Sequence, residues 1–503
     1  MLLGKIVKNL DFLEVKGALD LEINSICYDS RKANGNCLYV PLEGNNCNGH
    51  DYIKEAVACG AVAVLSSVRE IGENFDNTTF VYVKNTRKAL AFVSANFFCH
   101  PADRLKVIGI TGTKGKTTAA SMVASILNQS QIKTAVVGTI GVISSNGNVV
   151  KLNNTTPESY ELQKYMRQML NENYECVILE ISSLGIKHHR TDAIEFDIGC
   201  FTNFSRDHIG QGEHKDMKEY LACKAMLFSA CKTGIFNIDD NDVKKVYESS
   251  TCEKIKFGFS KHADFIASNL SLITKPDCLG TKFELCGQRK MIIDVAVPGS
   301  FSVYNALLAI STCCKFNDRR ITDKNIKIGL KKAKTKGRVE VIDTPFDYSL
   351  IIDFAHNAVS MKNILKTLRK YTKNQLIIMF GSGGERSKTR RYDMGKIAGK
   401  LSDFVVITSD NPRSEPPLDI IDDIKSSIAE IDANYAVFPD RKDAIRYCMN
   451  IAKKGDIVIL AGKGHEDYQF TSKGKEHFDE REVIASFIKE FSKNQFISKN
   501  SRD

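Results

Sequence analysis

The sequence predicts an α/β protein of three domains: a small N-terminal α/β domain, a central domain with a phosphate loop on a mainly parallel sheet, and a C-terminal Rossmann-like domain. Three observations carry this. VIGITGTKGKTT at 107–118 is an apolar strand running into a Gly-Lys-Thr loop. ECVILEIS and FDIGCFTNF are continuously apolar rather than alternating, as strands buried on both faces are. From about residue 335 strand-like and helix-like segments alternate regularly, the pattern of a doubly wound sheet.

In chain order, residues 1–98 hold short apolar runs (CLYVPL, AVAVLSS, TTFVYV) around a helical DYIKEAVACG. Residues 99–334 open with the phosphate loop, and TTAASMVASILNQ after it has helical spacing. Residues 335–503 place YSLIIDFA, QLIIMFGS, DFVVITSD and DIVILAGK between helical SMKNILKTLRKYT, RYDMGKIAGKLS, PLDIIDDIKSSIAEI and RKDAIRYCMNIAKK. Ligands of such sheets bind at the carboxyl ends of the strands, where DFAHN, GSGGERSK, SDNPRSEPP and AGKGHE fall.

The loop predicts ATP binding. Gly112, Gly115 and the residues between them, Thr113 and Lys114, let backbone N–H groups turn toward a polyphosphate. Lys116 places a charge on the outer phosphates, and Thr117, followed by Thr118, offers a hydroxyl to Mg²⁺. The spacing is a compact GxxGKT, with Ile110 where a longer loop has its first glycine. Glu180 closes one apolar strand and His208 follows another, so a carboxylate and an imidazole could join Thr117 at Mg²⁺.

At 503 residues the chain exceeds one core. It shows neither a run of eighteen apolar residues nor a signal-peptide core, which predicts a cytoplasmic protein. Fifteen cysteines without a CxxC pair read as reduced core thiols, not disulfides or zinc ligands. The net charge of +10 is dispersed, with no basic-aromatic patch, and points to anionic small substrates and not to nucleic acid or a membrane.

TGTKGKTT, NTTPES, EISSLGIKHHR, NFSRDH, YLACKAMLF, PGSFSVYNALLA, GRVE, DFAHN, GSGGERSK, DNPR and GKGHE occur in the order of the Mur ligases, and the chain resembles that family from Asp29 to Glu466. It looks most like the members that add the third peptide residue to UDP-N-acetylmuramoyl-L-Ala-D-Glu. The resemblance implies an N-terminal UDP-sugar-binding domain, a central ATPase and a C-terminal amino-acid-binding domain. It also implies a monomeric, Mg²⁺-dependent ligase of peptidoglycan synthesis that forms an amide through an acyl phosphate.

By the same resemblance, Lys116, Glu180, His208 and Lys224 are catalytic, and Thr117, Glu180, His208 and Lys224 hold metal. Lys224 does so as its N6-carboxy (carbamate) form; read from its own surroundings it is an ordinary exposed helical lysine. Asn305, Arg338, Asp353 and His356 are implied ATP contacts. Ser30, Asn154, Thr155, Thr156, Ser182, His188 and Arg190 are implied to bind the UDP-sugar, whose diphosphate suits hydroxyls, amides and an arginine. Arg386, Asp410, Asn411, Pro412, Arg413, Gly462 and Glu466 resemble a pocket for meso-diaminopimelate, with Arg413 on the far carboxylate and Glu466 on an ammonium.

Three departures stand out: Leu184 where the family usually has His, His188 where it has Gln, and a segment after His208 two residues longer than usual. They leave room for L-lysine or another amine, or for a paralogue acting on a related acceptor. Folylpolyglutamate-synthase-like activity fits the loop but not the N-terminal block, and a non-enzymatic scaffold does not fit four intact catalytic side chains.

Overall fold

The computed structural model describes residues 1–44, 47–69, 75, 77–210, 212–275 and 278–500, with 494–500 as backbone only; Gln211 of the longer segment lies outside this set. The chain separates into two compact units, 1–266 with 307–329 and 267–306 with 330–503.

The first unit contains two sheets. In the N-terminal one, strands Ser25–Cys27, Cys37–Tyr39, Ala61–Ser66 and Thr79–Val83 run parallel, and Phe12–Lys16 adds an antiparallel edge. The expected helix begins as a 3₁₀ turn, Gly49–Tyr52, before Ile53–Ala58. In the larger sheet Lys106–Thr111 is central, between Cys176–Glu180 and Phe196–Phe201, with Thr134–Gly138 and Cys231–Asn237 outside them, all parallel. Every residue of Cys176–Glu180 and Thr134–Gly138 is buried, which explains their unbroken apolar character. Because the strands are parallel, the phosphate loop, Glu180 and the Asn203–His208 segment all emerge at one end of the sheet.

The second unit carries a six-stranded sheet in the order Glu340–Ile342, Ser349–Asp353, Ile457–Ala461, Leu376–Phe380, Phe404–Ile407, Tyr435–Val437. Only the first strand is antiparallel. Helices Ala358–Arg369, Lys388–Leu401, Pro417–Ala429 and Arg441–Ile451 fall where the alternation places them. An antiparallel ribbon of Cys278–Gly287 and Met291–Val295 also belongs to this unit and has no counterpart in the sequence expectations.

All fifteen cysteines are free thiols, but Cys47, Cys59 and Cys99 are exposed, so the core reading fails for these three. Cys59 and Cys99 follow the last turns of helices Ile53–Ala58 and Thr86–Phe97, where the chain surfaces.

Candidate active site

Gly112 has φ +141°, and a Cβ there would lie 1.9 Å from Thr202 Oγ1, so only glycine lets the loop pass the neighbouring strand end. Gly115, at φ +86°, opens helix Lys116–Gln129. The Gly112 carbonyl faces inward and accepts from two ammonium groups, Lys116 Nζ at 2.8 Å and Lys224 Nζ at 2.9 Å. Two loop N–H groups are already engaged: Thr113 donates to the Asn203 carbonyl at 2.9 Å and Lys114 to Asn203 Oδ1 at 3.0 Å. Thr118 is buried under the loop.

Lys224 is 1% exposed, which overturns its reading as an exposed helical lysine. Its helix, Met217–Ala225, turns that face onto the loop, and Nζ sits 4.7 Å from the Tyr220 ring centre. Burial, then the neighbouring Lys116 charge, pushes its pKa well down.

Thr117 donates its hydroxyl to Glu180 Oε2 at 2.8 Å. Glu180 is 1% exposed and also accepts from the Thr139 N–H and hydroxyl at 3.2 and 3.1 Å. Gly138 makes room for this carboxylate, since a Cβ there would lie 2.1 Å from Glu180 Oε1. Burial raises the Glu180 pKa, against the pull of Lys116 and the two threonines. A buried carboxylate with an adjacent hydroxyl is a hard-oxygen donor set that suits Mg²⁺. His208 is placed differently: its Nδ1 pairs with Glu213 at 2.9 Å, and it makes no hydrogen bond to Glu180 among the described residues.

Thr156 Oγ1 donates to the Glu180 carbonyl, accepts from the Ser182 N–H and lies 3.1 Å from Ser182 Oγ, while Thr155 meets Thr139 at 3.1 Å. Ser182 caps the short helix Ser183–Lys187 through the Gly185 N–H. Arg190 binds the Thr156 carbonyl and Glu158, and burial followed by the Arg87 and Arg190 charges lowers the His188 pKa. Asn154 is exposed; Ser30 is buried and donates to Glu55 at 3.3 Å. Thr139, Thr155, Thr156 and Ser182 therefore form a chain of short hydroxyl groups around Glu180.

The second unit holds the remaining residues. Asn305 is buried in helix Ser300–Phe316. Arg338 stacks on Phe354, 4.7 Å from its ring centre. Asp353 accepts from the Val339 and Ala355 N–H groups at 2.7 and 2.8 Å, and the His356 Nδ1–H donates to the Phe354 carbonyl. Burial raises the Asp353 pKa and lowers that of His356.

Nearby, Arg413 has φ +56° and donates to the Gly384 carbonyl at 2.6 Å. Asn411 bridges Lys463, Glu466 and the Phe470 N–H. Glu466 therefore already carries one cation, Lys463, at 3.0 Å. Gly462, at φ +110°, would place a Cβ 2.6 Å from the buried Asp410 carboxylate; Pro412 is buried and Arg386 exposed.

Two residues escaped the sequence reading. Tyr220, fully buried, donates to Thr113 Oγ1 at 3.3 Å and stands between Lys224 and His208, its ring 5.9 Å from the imidazole. Arg441 is fully buried on Glu480 and donates to the Ser409 and Ala461 carbonyls, tying together the strand ends that carry Asp410 and Gly462. A charged helix start gives no sign of such burial.

Three family models fall along the chain: the Mur ligase family catalytic domain at 22–98, the Mur ligase middle domain at 110–313, and the Mur ligase glutamate ligase domain at 337–464. A UDP-N-acetylmuramoyl-L-alanyl-D-glutamate--2,6-diaminopimelate ligase of Clostridium acetobutylicum is 39% identical over 97% of this chain and all of its own length. The chain is a Mur ligase. A ligase of the same name from Caldanaerobacter subterraneus subsp. tengcongensis is also 39% identical, over 95% of this chain and 98% of its own. A solved structure of such a ligase superposes with a TM-score of 0.70 at 25% identity, covering 98% of this Mur ligase and 99% of that chain. The fold is thus the three-domain Mur ligase fold. No helix among the described residues of this Mur ligase is long and apolar enough to cross a membrane.

Proposed function

We propose that this Mur ligase joins meso-2,6-diaminopimelate to UDP-N-acetylmuramoyl-L-Ala-D-Glu, converting ATP to ADP and phosphate, as a soluble cytoplasmic enzyme. The reading is carried by full-length likeness to ligases bearing that name, together with the two lysines on the Gly112 carbonyl. A carboxylate resists attack by an amine because its leaving group would be oxide. Transfer of the γ-phosphoryl group to the D-Glu side-chain carboxylate supplies a phosphate leaving group instead. Lys116 steadies the charge of the transferring phosphoryl group. The Thr117 hydroxyl and Glu180 carboxylate would hold Mg²⁺, which offsets phosphate charge when bound.

Lys224, whose ammonium form burial disfavours, gives up that proton, adds as the free amine to CO₂ with loss of a second proton and becomes a carbamate, replacing a cation beside Lys116 by an anionic oxygen ligand. Thr155, Thr156, Ser182, His188 and Arg190 hold the muramoyl-diphosphate part. Arg413, Asn411 and Glu466 orient the incoming amine, whose nitrogen attacks the acyl phosphate. Domain limits at 98 and 334 follow the same reading.

The test is ADP release by the purified protein with UDP-N-acetylmuramoyl-L-Ala-D-Glu and a panel of amines. Diaminopimelate is expected to give the highest turnover. Equal or better turnover with L-lysine, or none with any amine, rejects the assignment.

A further inference from the structure

Glu158 carries two arginines at once. It sits at the N-cap of helix Ser159–Asn171, and its Oε1 accepts from Arg190 Nε at 3.0 Å, Arg190 Nη2 at 2.7 Å and Arg87 Nη1 at 3.3 Å. Arg87 comes from the N-terminal block, in the first turn of helix Thr86–Phe97, and its Nη2 donates to the Glu43 carbonyl at 2.7 Å. All three side chains are sheltered, at 19%, 14% and 12% exposure for Arg87, Glu158 and Arg190. One carboxylate thus faces two guanidinium ions. The next acid, Glu161, is bonded by the Tyr28 hydroxyl at 2.7 Å, and burial pushes its pKa up, toward the neutral form. His188 lies within the field of both arginines.

A simple bridge between helices needs one arginine, and sheltering a second charge without its own counter-ion is costly. Planar guanidinium forks match carboxylate and phosphate oxygens two at a time. We propose that Arg87 is a second guanidinium of the acceptor site, binding an oxyanion of the acceptor jointly with Arg190 while Glu158 holds both side chains in place. This rests on the acceptor assignment above, and the oxyanion is either the diphosphate or a carboxylate of the muramoyl-dipeptide.

Calorimetric titration of full-length wild type, Arg87→Ala and Arg87→Lys tests it. The probes are UDP-N-acetylmuramoyl-L-Ala-D-Glu, ATP and UDP-N-acetylglucosamine, which keeps the diphosphate and lacks every carboxylate. Arg87→Ala is expected to raise the acceptor Kd at least tenfold and leave ATP unchanged; Arg87→Lys, with charge but no fork, at least threefold. Loss with both UDP ligands locates the contact at the diphosphate; loss with the acceptor alone locates it at a carboxylate. Acceptor binding within twofold of wild type in a folded Arg87→Ala, or in Arg87→Lys if the alanine variant unfolds, overturns the assignment. Wild type that binds no acceptor removes the proposed function as well, and the two failures are told apart on that basis.

Discussion

Lys116 and Lys224 donate to the same atom, the main-chain oxygen of Gly112, from 2.8 and 2.9 Å. Two like charges on one carbonyl repel, and the Lys224 ammonium is disfavoured by burial first and by Lys116 second. The arrangement becomes favourable once one of the two ceases to be a cation. Under the proposed chemistry that one is Lys224, and Lys116 remains to meet the phosphates.

Lys116→Ala should therefore abolish turnover in a folded protein, with a loss on the order of 10²–10³ or more for a charge aimed at the transferring group. ADP release by a variant with an unchanged circular dichroism spectrum measures it. Activity close to wild type would contradict the loop assignment.

Lys224→Ala should be nearly inactive and recover part of its activity in acetate, which returns an anionic oxygen to the vacated space. Activity without added acid would mean that the buried amine does not serve as a ligand.

Arg413→Ala should raise the Michaelis constant for diaminopimelate at least tenfold and narrow its advantage over lysine, since truncating one side of a buried charge pair costs about 2–5 kcal/mol. Acceptor affinity should be unchanged. An unaltered preference between the two amines rejects the pocket.

Arg441→Met leaves Glu480, 1% exposed and with one oxygen already unpartnered, without its cation. A destabilisation of about 3–5 kcal/mol is expected in urea unfolding. The amine site should loosen with it, because the Ser409 and Ala461 carbonyls lose a common donor. Unfolding midpoints equal to wild type would show that the pair is dispensable.

Burial, then Arg338, Lys336 and Arg481, lowers the His465 pKa from 6.5 to about 4. The folded state thus binds fewer protons than the unfolded chain between those values, so stability is full above pH 6.5 and falls as pH drops toward 4. From pH 7 to pH 5 the loss is at most about 2 kcal/mol. His465→Gln should remove this share, seen as a smaller shift in urea midpoint between the two pH values. Equal shifts in variant and wild type would count against it.

Much of this was legible in the sequence because glycine positions and strand ends are local signals. Gly112, Gly115 and Gly462 all adopt positive φ where the motifs place them. The burial of Lys224 was not legible: YLACKAM has no apolar stripe that marks its inner face, and only tertiary packing on Tyr220 and Gly112 decides it. Nor was the partner of His208, Glu213, which the strand pattern before it does not specify. The ribbon of Cys278–Gly287 and Met291–Val295 was missed because its short alternations lie among polar residues.

The central strand Lys106–Thr111 takes its neighbours from about 70 and 90 residues downstream, and helix Lys116–Gln129 receives a hydrogen bond partner for Ser125 only at the Gly329 carbonyl. On the ribosome, then, the nucleotide loop is made early and completed late. A nascent chain reaching residue 190 exposes one edge of Lys106–Thr111, and one reaching 300 still lacks the segment 307–329 that belongs to the first unit. Long-range parallel pairing is slow and leaves open edges meanwhile. Translation stalled in this interval would present the cell with an open-edged, aggregation-prone intermediate of the first unit.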